Sequence, residues 1–252
     1  MTRCGVVAVI GAPNAGKSTL VNQLVGQKVA ITSAKAQTTR ARLLGIALEG
    51  DVQIILADTP GIFAPKRRLD RAMVSAAWEG TVAADAVLLV VDPIKQRRHE
   101  LEPLLEGLKD RPERKLLALN KVDASAKEPL LALAQGLTAK ADFAEVYFVS
   151  ALTGDGVPEL KAHLASLMSE GPWHYPEDQV SDASERLLAA EVTREQLYRQ
   201  LHEELPYDSA VRPESYQQRK DGSIEIHQQI VVGRETQRAI VLADGLDPRA
   251  RN

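Results

Sequence analysis

Residues 11–18 of the sequence, GAPNAGKS, combine small side chains with a lysine and a serine. Small residues let the backbone wrap around a phosphate group with its N–H groups pointing inward, and a helix that follows adds the positive end of its dipole. Lys17 is expected to bridge the β- and γ-phosphates of a nucleotide, and Ser18 is expected to bind Mg²⁺. The other phosphate-binding positions that this motif predicts are Asn14, Ala15, Gly16 and Thr19.

A second motif, DTPG, begins at Asp58 and follows an apolar run. The Asp58 carboxylate can hold Mg²⁺ through a water molecule, and the N–H of Gly61 can approach a γ-phosphate because glycine has no side chain to obstruct it. The loop KAQTTR, residues 35–40, can add a second hydroxyl ligand to Mg²⁺, and the adjacent Thr38 and Thr39 leave the choice between them open. These loops predict a site that senses the γ-phosphate.

Two motifs farther along the chain predict the base of the nucleotide. The Asp123 carboxylate of the NKVD motif can accept hydrogen bonds from the guanine N1–H and exocyclic amine, which adenine does not offer in that arrangement. Asn120 can bond the base edge and tie this loop to the phosphate loop, residues 11–18, while the stem of Lys121 covers the ring face. Candidate contacts to the guanine O6 follow the run EVYFVS, at Ser150, Ala151 and Leu152.

Every one of these motifs except KAQTTR follows an apolar run that is typical of a buried strand. The runs occupy residues 4–10, 43–49, 52–58, 86–92, 115–120 and 145–150. Helical patterns lie near residues 17–24, 68–82, 99–109, 127–140 and 157–168. This alternation predicts an α/β fold, in which a mostly parallel sheet of these six strands is covered by helices on both faces. Ligands of such sheets bind outside the carboxyl ends of the strands, where the motifs fall.

The C-terminal part of the chain has a different organisation. The stretch GPWHYPEDQ is rich in proline and is typical of a linker, and a helical pattern follows it, with Ser181 or Asp182 as candidate N-caps. Two strand-like runs then flank the turn Asp221-Gly222. We predict a nucleotide-binding domain over residues 1–170, a linker over 171–181 and a small α+β domain over 182–252.

Composition narrows the class of protein. Apolar residues make up 44% of the chain, enough for a buried core, and the net charge of −3 argues against a protein that binds nucleic acid over its whole surface. A single cysteine excludes an internal disulfide and fits a reducing cytoplasm. The strongest apolar run, AVLLVV, is too short to span a bilayer, so any membrane contact is expected to be peripheral.

Six stretches resemble the TRAFAC-class GTPases, and within them the TrmE-Era-EngA-like group and its Era family of bacterial ribosome-assembly GTPases. They are GAPNAGKSTLVNQLVGQKVAITSAKAQTTR, ADTPGI, LNKVD, VSALTGDGV, YPEDQVSD and ELPY. The resemblance implies a P-loop NTPase G domain and a C-terminal type II KH domain. It also implies binding to the 3′ end of 16S rRNA in a 30S ribosomal subunit precursor, in the cytoplasm, with peripheral contact at the inner face of the cell membrane left open and no role for DNA.

The resemblance also assigns roles to single residues. It favours Thr39 over Thr38, because related GTPases keep the threonine immediately before the arginine. The implied cofactors are GTP or GDP and Mg²⁺, and Asn14 matches an asparagine that helps to bind K⁺ in some relatives, so activation by potassium is a hypothesis. The candidate catalytic residues are Lys17, Thr39, Asp58 and Gly61, and the candidate Mg²⁺ ligands are Ser18, Thr39 and Asp58.

The sequence departs from the patterns of related proteins at two places. Ile62 follows Gly61 where Ras-like proteins have a glutamine that orients water, and Era-like proteins share this apolar residue, so intrinsic hydrolysis is expected to be slow. In the tail, residues 243–246 read ADGL where a KH domain has its G-x-x-G loop, and the second helix and final strand are missing. We predict an incomplete KH-like domain.

Three functions are compatible with these motifs. The leading one is a GTP-hydrolysing molecular switch in small-subunit assembly, stimulated by RNA or potassium. The second is a GTP-dependent adaptor, or a G-domain switch that does not bind RNA because the KH domain is incomplete. The third, a P-loop kinase or ATPase, conflicts with the guanine-selective NKVD motif.

Overall fold

The computed structural model describes residues 1–32, 43–59, 84–95, 98–201, 209–234, 237, 238 and 241. The chain forms two units, Met1–Asp182 and Ala183–Asn252. The predicted helix near residues 68–82 and the tail residues 243–246 lie outside the described residues.

The first unit is built on one sheet in which the strands follow the apolar runs of the sequence. They are β1 (Arg3–Ile10), β2 (Leu43–Glu49), β3 (Val52–Asp58), β4 (Ala86–Val91), β5 (Arg114–Leu119), β6 (Glu145–Phe148) and β7 (Ser169–Glu170). The main path has the order β2-β3-β1-β4-β5-β6, and only β2 runs antiparallel to its neighbour along it. The predicted six-stranded, mostly parallel sheet is thus confirmed. The two-residue β7 pairs with the start of β1 and was not predicted, since it is too short and too exposed to show an apolar pattern.

Helices cover both faces of this sheet, as predicted. They are α1 (Lys17–Val25), α2 (Arg98–Lys109), α3 (Lys127–Thr138) and α4 (Val157–Leu167), with a short 3₁₀ turn at Val122–Ala124. Alternate residues of β1 belong to opposite hydrophobic clusters, Val7 and Val9 on one face and Ala8 and Ile10 on the other. Helices α1 and α4 contribute residues to the first cluster, and α2 and α3 contribute residues to the second. The sheet is therefore packed on both faces and holds in place the loops at its edge.

Residues 171–182, which include the predicted linker, are hydrogen-bonded along the β2–β3 hairpin of the first unit. The backbone N–H of Ile46 donates to the carbonyl of Val180 at 2.8 Å. The fully buried Gln53 donates through Nε2 to the carbonyl of Tyr175, and its Oε1 accepts from the N–H groups of His174 and Tyr175. We call residues 171–182 the hairpin-bound segment.

The second unit contains α5 (Glu185–Gln200) and an antiparallel hairpin of β8 (Ser209–Gln218) and β9 (Ile224–Val232). Leu197 and Leu201 form its small core with Val241. The N-cap of α5 is Ser184, whose Oγ accepts a hydrogen bond from the N–H of Leu187 at 3.3 Å. The prediction that Ser181 or Asp182 caps this helix was wrong, because both hydrogen-bond to Leu44 of β2 instead.

Candidate functional site

The loop between β1 and α1 takes its shape from close neighbours. Gly16 has φ 95°, in the left-handed region, and a Cβ there would lie 2.1 Å from Nδ2 of Asn120. A Cβ at Gly11 would lie 2.4 Å from the carbonyl oxygen of Val90 at the end of β4. Asn14, although not a glycine, also adopts a positive φ of 63°. Gly11 and Gly16 are therefore required by close contacts with residues at the ends of β4 and β5 as well as by the geometry of the turn.

Lys17 begins α1 and is buried beneath this loop. Its Nζ donates to the carbonyl oxygens of Gly11 at 3.2 Å and Ala12 at 3.0 Å. Burial lowers the pKa of Lys17 to about 8, and the negative charge of Asp58 opposes this change only in part. A buried ammonium group beside two neutral carbonyls is well suited to an anion, and a phosphate group fits that requirement.

Ser18 and Asp58 bring α1 and the end of β3 together. The Ser18 Oγ donates to Oδ2 of Asp58 at 2.7 Å, and both residues are buried. The next residue, Thr59, donates from Oγ1 to the carbonyl of Val9 at 2.7 Å and fixes the end of β3 against β1. A hydroxyl and a carboxylate are hard oxygen ligands, which fit Mg²⁺ held together with phosphate oxygens. The other predicted members of this site, Thr39 and Gly61, lie outside the described residues.

Asn120 joins three loops at the same edge of the sheet. Its Nδ2 donates to the carbonyl of Ala15 at 2.9 Å, and its Oδ1 accepts from the N–H of Ala151 at 2.9 Å. Asn120 is 2% exposed, so both bonds are shielded from water. The predicted tie between the NKVD loop and the phosphate loop is present, and it extends to the loop after β6.

Lys121 makes a second connection between these loops. It has a left-handed backbone, with φ 64°, and its Nζ donates to the carbonyl of Asn14 at 2.9 Å. The same Nζ pairs with the Asp92 carboxylate, which the N–H groups of Ile94 and Lys95 also contact. Burial raises the pKa of Asp92, but the bonds from Lys121 and from the two backbone N–H groups outweigh burial, so the net pKa is lowered.

Asp92 was missed in the sequence, although a signal for it exists. It is the first residue after β4, and polar residues directly after parallel strands meet at one edge of the sheet. The surrounding stretch, DPIKQ, matches none of the motifs described above, and it is the contact with Lys121 that connects it to the NKVD motif.

The remaining predicted residues lie on the same loops and differ in exposure. Asp123 is exposed within the 3₁₀ turn, so its carboxylate is open to a ligand. Ser150 is buried, and its Oγ accepts from the N–H of Thr153 at 3.1 Å. Leu152 is 77% exposed, and Thr19 on α1 is half-buried. The hydrogen bonds described above bring the phosphate loop, the end of β3, the NKVD loop and the loop after β6 into one cluster.

Comparison with known proteins identifies the family. A family model described as "50S ribosome-binding GTPase" matches residues 6–121. The chain is 80% identical over 249 residues to "GTPase Era" of Erythrobacter litoralis, an alignment that covers 97% of this chain and 82% of the relative. The chain belongs to the Era family of GTPases. A second Era, from Bradyrhizobium, is 55% identical over 244 residues.

Solved Era structures have the same fold across both units. An Era in complex with MgGDPNP and nucleotides 1506–1542 of 16S ribosomal RNA matches with a TM-score of 0.88 and 34% identity, covering 96% of this chain and 82% of that one. Era of Aquifex aeolicus bound to GDP·AlF₄⁻ matches with a TM-score of 0.88, also at 34% identity. None of the helices within the described ranges is long and apolar enough to cross a membrane.

Proposed function

We propose that this GTPase is a GTP-hydrolysing switch that acts in assembly of the small ribosomal subunit and binds 16S rRNA near its 3′ end. The observation that carries the proposal is the hydrogen-bonded cluster of four loops around the buried ammonium of Lys17. A relative of the same fold binds MgGDPNP and 16S rRNA, which supports both parts of the proposal.

In this proposal the phosphates of GTP or GDP lie against the loop 11–18. Its backbone N–H groups and Lys17 would neutralise their charge, and Ser18, Asp58 and Thr39 would hold Mg²⁺. The bound Mg²⁺ would supply further positive charge to the β- and γ-phosphates. Asn14, Ala15, Gly16 and Thr19 complete the phosphate contacts, and Gly61 senses the γ-phosphate through its N–H.

Hydrolysis in this site is expected to be slow. Ile62 has no polar group with which to orient a water molecule, so the nucleophile must be positioned by the backbone around Thr39 or by a cation. Asn14 is exposed on the phosphate loop, and we propose that its side chain helps to bind a potassium ion there. GTP binding orders the loops around Thr39 and Gly61, and hydrolysis releases them.

Base selection is proposed to rest on the exposed Asp123 carboxylate, which accepts from the guanine N1–H and 2-amino group. The stem of Lys121 would lie over the ring, and the segment Ser150, Ala151 and Leu152 would lie beside O6. The N–H of Leu152 is the proposed donor, because the N–H groups of Ser150 and Ala151 donate to Asp155 and Asn120. Asn120, with Ala15 and Ala151 as partners, acts mainly by holding these loops together.

The proposed RNA partner is small-subunit rRNA. The family model described with the 50S ribosome covers only residues 6–121, whereas the match to the Era–16S rRNA complex covers 96% of the chain, including the second unit. A precursor of the 30S subunit in the cytoplasm is the proposed site of action, with no role for DNA. Peripheral contact with the inner face of the membrane is proposed from the family resemblance alone.

A binding experiment tests the RNA assignment. We expect the full chain to bind an RNA of the 16S 3′ end at least about tenfold more tightly than a fragment of residues 1–182, because the second unit supplies the RNA contacts. Equal affinities would favour the second candidate, a GTP-dependent adaptor without RNA binding. Single-turnover hydrolysis with and without that RNA then decides whether turnover is regulated or incidental.

A further inference from the structure

Lys121 is held at its charged end by two separate elements. Its left-handed backbone belongs to no helix or strand, and its side chain is 35% exposed, so neither regular structure nor burial fixes its direction. Within the described part of the chain, the contacts that fix it are the carbonyl of Asn14 on the phosphate loop and the carboxylate of Asp92 after β4.

Asp92 is far better fixed than the lysine it contacts. Its side chain is 5% exposed, and Oδ1 accepts from the N–H groups of Ile94 at 2.9 Å and Lys95 at 3.1 Å, while Oδ2 faces Lys121. A carboxylate anchored through one oxygen by the backbone presents the other as a rigid partner for a mobile cation.

We infer that Asp92 is a positioning residue for guanine-nucleotide retention, which holds the Lys121 stem across the base; the inference rests on the proposed nucleotide site. With Asp92 in place, Lys121 is ordered before the nucleotide arrives, so its ordering entropy does not oppose binding. Without this contact, the carbonyl of Asn14 is the one partner that Lys121 Nζ keeps among the described residues, and the loss should appear as faster dissociation of the nucleotide.

The test is the rate at which a fluorescent GDP analogue dissociates from the full-length chain. Asp92→Asn keeps an oxygen for the N–H groups of Ile94 and Lys95 but removes the charge that Lys121 requires. We expect dissociation to be about three- to tenfold faster than in wild type. This change lies between the effects that are typical of losing an exposed ion pair and of losing a buried hydrogen bond to a charged group. Glu113→Gln is the matched control, since it neutralises a carboxylate paired with Arg111 just before β5, at the amino end of that strand.

A double-mutant cycle separates positioning from a purely structural role of the 92–95 turn. In a Lys121→Ala background, Asp92→Asn should have no further effect on dissociation, because the partner through which it acts is gone. Equal acceleration in both backgrounds, or a wild-type rate in the single variant, overturns the inference. A wild-type chain that does not retain GDP, or a Lys121→Ala variant that retains it normally, would instead refute the proposed base site on which the inference depends.

Discussion

Asn120→Ala provides a quantitative test of how the site is assembled. The substitution removes two buried hydrogen bonds, to the carbonyl of Ala15 and from the N–H of Ala151, both at 2.9 Å. Each contributes about 0.5–1.5 kcal/mol, and the two backbone groups left without a partner add a desolvation cost. We expect the free energy of unfolding of the nucleotide-free protein to fall by about 2–4 kcal/mol.

The assay is chemical unfolding of the nucleotide-free chain, followed by GDP affinity for the same variant. A lower midpoint with an unchanged denaturant slope is the expected pattern, together with GDP affinity reduced at least about tenfold because the loops must order on binding. The control is Asn22→Ala, which removes bonds to Val29 and Ala30 beyond α1 and should lower stability with a smaller effect on GDP affinity.

Unfolding of the nucleotide-free Asn120→Ala protein at the wild-type midpoint would contradict this prediction. That result would mean that Asn120 contacts only the base and does not hold the loops in advance. A variant destabilised as expected but with normal GDP affinity would refute the link between loop assembly and nucleotide binding.

Three further predictions concern ions and the base. Because burial lowers the pKa of Lys17 to about 8 and adjacent phosphates would raise it, GDP binding should take up a fraction of a proton near pH 8, so affinity falls as the pH rises through 8. Calorimetry in buffers of different ionisation enthalpy measures this uptake, and Lys17→Met should abolish it. Asp123→Asn should weaken GDP binding at least about 100-fold and improve binding of xanthosine diphosphate, whose C2 carbonyl accepts a hydrogen bond from the new amide. A variant that binds both nucleotides with wild-type affinity would contradict the role of Asp123 in base selection. If Asn14 helps to bind potassium, GTP turnover is faster in KCl than in NaCl at equal ionic strength, and equal rates would contradict this.

The sheet was predictable because its strands are buried on both faces and therefore appear as short continuous apolar runs. Runs such as AVLLVV have no polar alternation, and the structure buries every residue of that strand. The phosphate and NKVD motifs were predictable for a related reason, since each directly follows such a strand and must lie at its carboxyl end.

The features that sequence reasoning missed depend on contacts between distant residues. Asp92 matters through Lys121, 29 positions away, and no local pattern indicates that pairing. Residues 171–181 were predicted to be a linker from their prolines and glycine, and nothing in that pattern indicates the three hydrogen bonds by which the buried Gln53 of β3 holds this segment. The N-cap of α5 is Ser184 and not Ser181 or Asp182, because those two residues hydrogen-bond to Leu44 of β2.

The central claim is that this loop cluster binds a guanine nucleotide through its phosphates and its base together. Displacement of a fluorescent GDP analogue from the full-length chain by unlabelled GTP, GDP and ATP tests it directly. The account predicts that GTP and GDP compete at concentrations at least about 100-fold lower than ATP, since adenine cannot donate to Asp123. Competition by ATP at the same concentration as GTP, or failure of the analogue to bind at all, would contradict it.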